Sequence, residues 1–102
     1  MEPSQPRTGS VSKDRAREAA EIVEMGEFYF INQKLGEAIK ALKKAISLDP
    51  KSAKAHYNLG IVYEAKNQKE EAKAMFEKTL QLDPNFPGAQ QHLDRLIGIG
   101  EK

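Results

Sequence analysis

Residues 19–52 read AAEIVEMGEFYFINQKLGEAIKALKKAISLDPKS and residues 53–86 read AKAHYNLGIVYEAKNQKEEAKAMFEKTLQLDPNF, and the second stretch laid under the first decides the fold. Ala19 falls on Ala53, Gly26 on Gly60, Tyr29 on Tyr63, Glu37 on Glu71, Ala38 on Ala72 and Lys44 on Lys78, and Leu48-Asp49-Pro50 falls on Leu82-Asp83-Pro84. Each pair is 34 residues apart. An internal period of about 20–50 residues marks an architecture in which every unit covers its neighbour.

Within a unit the apolar residues step by three and four, as one face of a helix requires. Ile22, Met25, Gly26 and Tyr29 form one stripe, and Leu35, Ala38, Ile39, Leu42, Ala45 and Ile46 form another, separated by Asn32-Gln33-Lys34. The second unit repeats the scheme with Ala55, Leu59, Gly60, Val62 and Tyr63, a break at Lys66-Asn67-Gln68, then Ala72, Phe76, Leu80 and Leu82. Pro50 and Pro84 stop the second helix of each unit, because a residue before proline avoids the α conformation. Ser52 suits the N-cap of the helix that follows. A glycine inside a helix costs about 1 kcal/mol relative to alanine, so Gly26 and Gly60 point to a close contact: with almost no side chain there or at Ala38 and Ala72, two antiparallel helices can approach closely, with Tyr29 and Tyr63 filling the space alongside. After Pro87, a residue suited to a helix's first turn, Ala89, Leu93, Leu96 and Ile97 give one more apolar stripe. The spacing predicts helices near 13–32, 35–48, 53–66, 69–82 and 87–98.

The 34-residue period, with Gly26, Tyr29, Ala38, Ala45 and Pro50, then Leu59, Gly60, Tyr63, Ala72, Phe76 and Pro84, resembles the tetratricopeptide repeat. The resemblance implies an all-α, right-handed α-solenoid of antiparallel helix pairs, five helices in all: a repeat over 19–52, a repeat over 53–86 and a capping helix over 87–98, within a domain spanning 12–99. Ile22 and His56 stand where the family usually has a large aromatic, and Thr79 where it favours alanine. Residues 1–11, rich in Pro, Ser, Gly and Thr, read as a disordered tail or linker, and 100–102 as a flexible end.

The resemblance also implies a concave wall made by the first helix of each repeat, where a peptide or helix of a partner protein lies. On this chain the groove-facing positions are Ala20, Val23, Glu24, Glu27, Phe30 and Ile31, then Lys54, Tyr57, Asn58, Ile61, Glu64 and Ala65, then Gln91, His92, Arg95 and Ile99. Of these Val23, Glu27, Phe30, Ile31, Lys54, Tyr57, Asn58, Ile61, Glu64, Gln91 and Arg95 are the candidate partner-binding residues. Phe30, Ile31, Tyr57 and Ile61 would form an apolar patch, and exposed patches mark interaction sites. Some members of the family clamp the acidic tails of heat-shock chaperones with lysines, asparagines and an arginine. Only Asn58 matches that clamp. Val23, Glu27, Gly88 and His92 replace other clamp residues, and Glu24, Glu27 and Glu64 would repel an acidic tail, so a neutral or mildly basic ligand with an apolar anchor is expected.

Composition excludes most other readings. The 102 residues suit one domain, and 16 Lys plus Arg against 15 Asp plus Glu give no field that would draw in nucleic acid. Without cysteine there is no disulfide, thiolate metal site or thiol nucleophile. Phe28–Ile31 is the longest apolar run, far short of the roughly 20 residues that span a bilayer, so no membrane insertion is expected. His56 and His92 lack the spacing of a helical metal pair, and no nucleophile elbow or phosphate-cradling loop is present. Glu70 and Glu71 serve a helix N-terminus. Lys40, Lys43, Lys44 and Lys51 read as a solvated face. The expected protein is therefore non-enzymatic, free of cofactors and cytoplasmic, and it binds another protein. Self-association as a scaffold segment, or service as an adaptor domain of a longer protein, is the alternative, because about three repeats usually make a comfortable array.

Overall fold

The computed structural model describes the backbone of residues 7–98 and side chains from Lys13 onward. Five helices run in order: α1 (Arg7–Ile31), α2 (Leu35–Leu48), α3 (Ala53–Ala65), α4 (Lys69–Leu82) and α5 (Ala89–Ile97), with no strand among the described residues. α1 pairs with α2 and α3 with α4 as antiparallel hairpins; α3 also packs on α1 and α2, and α5 covers α4. Residues 7–11, assigned above to the tail, are the first turns of α1. Residues 1–6 and 99–102, including Ile99 and the expected flexible end, lie outside the described residues.

Both hairpins turn on one device. Gln33 and Asn67, 34 residues apart, sit in the left-handed region at φ 64° and 63°. After α1, Lys34 N–H donates to the Tyr29 carbonyl at 2.8 Å and Gln33 N–H to Phe30 at 3.0 Å; after α3, Gln68 donates to Tyr63 and Asn67 to Glu64, each at 2.9 Å. This is the Schellman pattern, which satisfies the last carbonyls of a helix. The joints between hairpins are equally regular: Asp49 Oδ1 accepts from Lys51 N–H at 3.2 Å and Asp83 Oδ1 from Asn85 N–H at 3.1 Å. Ser52 caps α3 as its position suggested, with Oγ accepting from Ala55 N–H at 3.1 Å. α5 starts at Ala89 rather than at Pro87, because Gly88 adopts φ 87°, a conformation outside the helix that glycine adopts freely.

The core runs along the hairpins as Ala19, Ile22, Val23, Ala38, Leu42, Ala45, Ala55, Leu59, Val62, Tyr63, Ala72 and Phe76. The repeated glycines make close contacts, with Leu42 and Phe76 of the returning helices, and Ala38 and Ala72 are fully buried. A Cβ on Gly26 would lie 2.8 Å from Leu42 Cγ, and one on Gly60 would lie 2.8 Å from Phe76 Cε1. Met25, placed above in the core stripe, is 48% exposed because none of the described elements covers that flank of α1. The two departures from the repeat pattern are satisfied locally: His56 Nδ1 donates to the Ser52 carbonyl at 2.8 Å, and buried Thr79 donates from Oγ1 to the Met75 carbonyl at 2.8 Å.

Two outcomes follow from these contacts. Phe76 is fully buried and held by Tyr57 and His92, so its ring cannot yield, whereas Leu42 borders an open recess. Gly60→Ala should therefore destabilise the chain by about 1–2 kcal/mol after the gain in helix propensity, and Gly26→Ala by less, as read from urea midpoints. Gln33→Gly should raise the melting temperature through a gain of up to about 1 kcal/mol by releasing left-handed strain, and Gln33→Val should lower it.

Candidate functional site

The inner wall of the array is made by α1 and α3, with α5 at its end. Between α1 and α3 lies a recess of about 300 Å³, lined by Gly26, Glu27, Phe30, Ile31, Leu42, Asn58, Ile61 and Val62. The 3.6-residue turn puts Glu27 and Phe30 on one side of the recess and Asn58 and Ile61 on the other. Leu42 and Val62, both buried, close it below. The recess is apolar except at one corner, where Asn58 Nδ2 donates to Glu27 Oε2 at 2.7 Å. Lys54 Nζ stands 3.6 Å from the same oxygen, an ion pair open enough to water to contribute little energy.

A second carboxylate is tied down between α3 and α5. Glu64 Oε1 accepts from His92 Nδ1 at 3.0 Å and Oε2 from Arg95 Nη2 at 3.2 Å. The His92 bond holds with the proton on Nδ1; in the other tautomer Nδ1 instead accepts from Arg95 Nη2, 2.8 Å away. The imidazole stacks on Phe76 with centroids 5.0 Å apart and meets the edge of Tyr57 at 5.7 Å.

These contacts sort the sequence-expected residues. Glu27, Phe30, Ile31, Asn58 and Ile61 come together around the recess, with Lys54 at its polar corner. Ile31 is 74% exposed, and Phe30 and Ile61 are half-buried against the core. Val23 is corrected: at 3% exposure it belongs to the core and offers nothing to a guest. Tyr57 is corrected in part. Its half-buried ring packs against Phe76, Phe86 and His92, the nearest centroid, that of Phe86, at 4.9 Å, and so seals the junction of α3, α4 and α5. Glu64 and Arg95 pair with each other, and Gln91 is exposed on α5, away from the recess. Ala20, Glu24 and Ala65 are exposed. Sequence reasoning missed the tethering of Glu27 by Asn58 and of Glu64 by His92 and Arg95, which join side chains about 30 residues apart and leave no periodic trace.

Among the described residues no group of His, Asp or Glu could hold a metal ion, and no helix is long and apolar enough to cross a membrane.

Comparisons with known proteins agree with the repeat. A family model described as "TPR repeat" matches residues 26–67, and one described as "Tetratricopeptide repeat" matches residues 53–86. The general transcriptional corepressor ssn6 of Schizosaccharomyces pombe is 34% identical over 64 residues, which is 61% of this chain but 6% of that protein. A crystal structure of MamA superposes with a TM-score of 0.76 at 31% identity, covering 79% of this chain and 49% of that one. The first TPR of Spaghetti (RPAP3), solved bound to the HSP90 peptide SRMEEVD, superposes with a TM-score of 0.75 at 26% identity, covering 78% of this chain and 64% of that one. The chain thus spans only part of the length of each of these proteins. Two repeats in register, two family models that between them match residues 26–86, and solved solenoids of the same architecture place the chain in the tetratricopeptide repeat family.

Proposed function

We propose that the chain is a non-catalytic interaction module that holds an extended or helical segment of another protein against the inner wall of α1 and α3. The observation that carries this reading is the recess itself: an apolar hollow of about 300 Å³ bordered by Phe30, Ile31 and Ile61, with room for a large apolar side chain, beside a polar corner. A solved relative of the same fold with a peptide bound supports it.

The charges select the ligand. Asn58, the one residue matching the family's acidic-tail clamp, spends its amide on Glu27, whose carboxylate lines the recess. An acidic tail would have to displace Glu27 from Asn58 and then lie beside its carboxylate. A segment with one leucine- or phenylalanine-sized anchor and a neutral or mildly basic flank meets no such cost.

Titration with two peptides separates these ligands: SRMEEVD, and a peptide of equal length carrying one phenylalanine flanked by serines and a lysine. The second should move the backbone amide resonances of Phe30, Asn58 and Ile61, and Ile61→Glu should weaken it at least tenfold. SRMEEVD should bind at least tenfold more weakly. Shifts confined to α2 and α4 would refute the groove, and tighter binding of SRMEEVD would refute the charge argument.

A further inference from the structure

The repeat register places a second binding surface on the opposite flank of α1. On α3, Ala55, Leu59 and Val62 lie on the side turned away from Gly60 and its α4 neighbour Phe76, and all three are buried against the first hairpin, Leu59 and Val62 to 2% exposure. On α5 the same register gives Ala89, Leu93 and Leu96, with Ala89 fully buried and the leucines packed on the core. This face of a repeat's first helix is thus where the preceding hairpin sits. On α1 the corresponding residues are Glu21, Met25 and Phe28. Phe28 is 64% exposed, and Glu21, Glu24, Met25, Phe28 and Tyr29 surround a shallow hollow.

The differences between seats say what would fill this one. Where α3 has Ala55 and Asn58, α1 has Glu21 and Glu24, both exposed, and Glu18 extends the acidic rim toward the N-terminus. Arg17 is taken up with Asp14 at 3.1 Å. A second copy is a poor occupant. Two such flanks face to face would oppose their glutamates, and among the described residues the far helix α5 exposes mainly Gln90, Gln91 and Arg95, the last already paired with Glu64, with Ile97 as its one exposed large apolar side chain. We propose that the flank of α1 carrying Met25 and Phe28 docks an amphipathic helix whose apolar stripe is bordered by lysine or arginine, supplied by a partner protein. The helix would cover Met25 and Phe28 as α2 covers α3, and its cations would lie over Glu21 and Glu24. The surface is separate from the recess and does not depend on it.

An 18-residue leucine–lysine amphipathic peptide and its leucine–glutamate counterpart test this on the full chain. The lysine peptide should shift the amides of Glu21, Glu24, Met25 and Phe28, with affinity falling at least tenfold for Phe28→Ser and for Glu21→Lys with Glu24→Lys, and falling again between about 0.05 and 0.5 M salt as the charges are screened. Ile61→Glu should leave this binding unchanged. Equal binding of the glutamate peptide, loss of binding on Ile61→Glu alone, or shifts mapping to the recess would overturn the proposal. So would a sedimentation mass of two chains that reverts to one in Phe28→Ser, since the flank would then be filled by a second copy. Because Phe28 and both glutamates are exposed, unchanged helical circular dichroism will show that the variants still fold.

Discussion

Everything in this molecule hangs on how close two helices come at Gly26 and Gly60. At each, the space a Cβ would occupy is filled by the helix returning from the turn, by Leu42 in one hairpin and Phe76 in the other. That contact fixes the separation of the pair and leaves the remaining faces of the first helix for other uses. One side meets the preceding hairpin, and the other faces inward. Interhelix distance follows the size of the residues at the crossing, so a glycine there sets the geometry of all that is stacked on it. The larger residue at the second contact is also the better supported, since Phe76 lies between Tyr57 and His92.

The inner wall results from that packing and from two carboxylates that are tethered in place. Glu27 is held by Asn58 and Lys54, and Glu64 by His92 and Arg95. Each set links successive first helices, so the same bonds that join neighbouring units also decide what charge a guest meets. The open part of the wall is therefore small and apolar, bordered by Phe30, Ile31 and Ile61.

Most of the fold was legible because it is periodic. The helix spacing, the joints at Asp49-Pro50 and Asp83-Pro84, and the cap at Ser52 all follow from local chemistry. The site was legible only in part, and the misreadings of Val23 and Tyr57 share one cause. Val23, Tyr57 and Gln91 occupy the same register position, 34 residues apart. That position leans toward the junction with later helices: Val23 sinks into the core and Tyr57 is enclosed by aromatic rings, whereas Gln91 on α5 is exposed. A wheel drawn for one helix cannot show which of its faces a neighbour will take. The exposure of Met25 has the same origin, since its counterpart Leu59 is buried only because a hairpin precedes it.

The short-range character of the contacts bears on how the molecule comes apart. α1 touches α2 and α3, α5 touches α4 and, through His92 and Arg95, α3, and among the described residues α1 and α5 do not pack on each other. Opening then need not be all-or-none: in a linear array each hairpin is stabilised by its own turn and by the one joint it shares with its neighbour. Among the described residues one flank of the first hairpin is uncovered, so it would fray ahead of the second, which is covered on both sides, and amide hydrogen exchange would run faster in α1 and α2 than through α3 and α4.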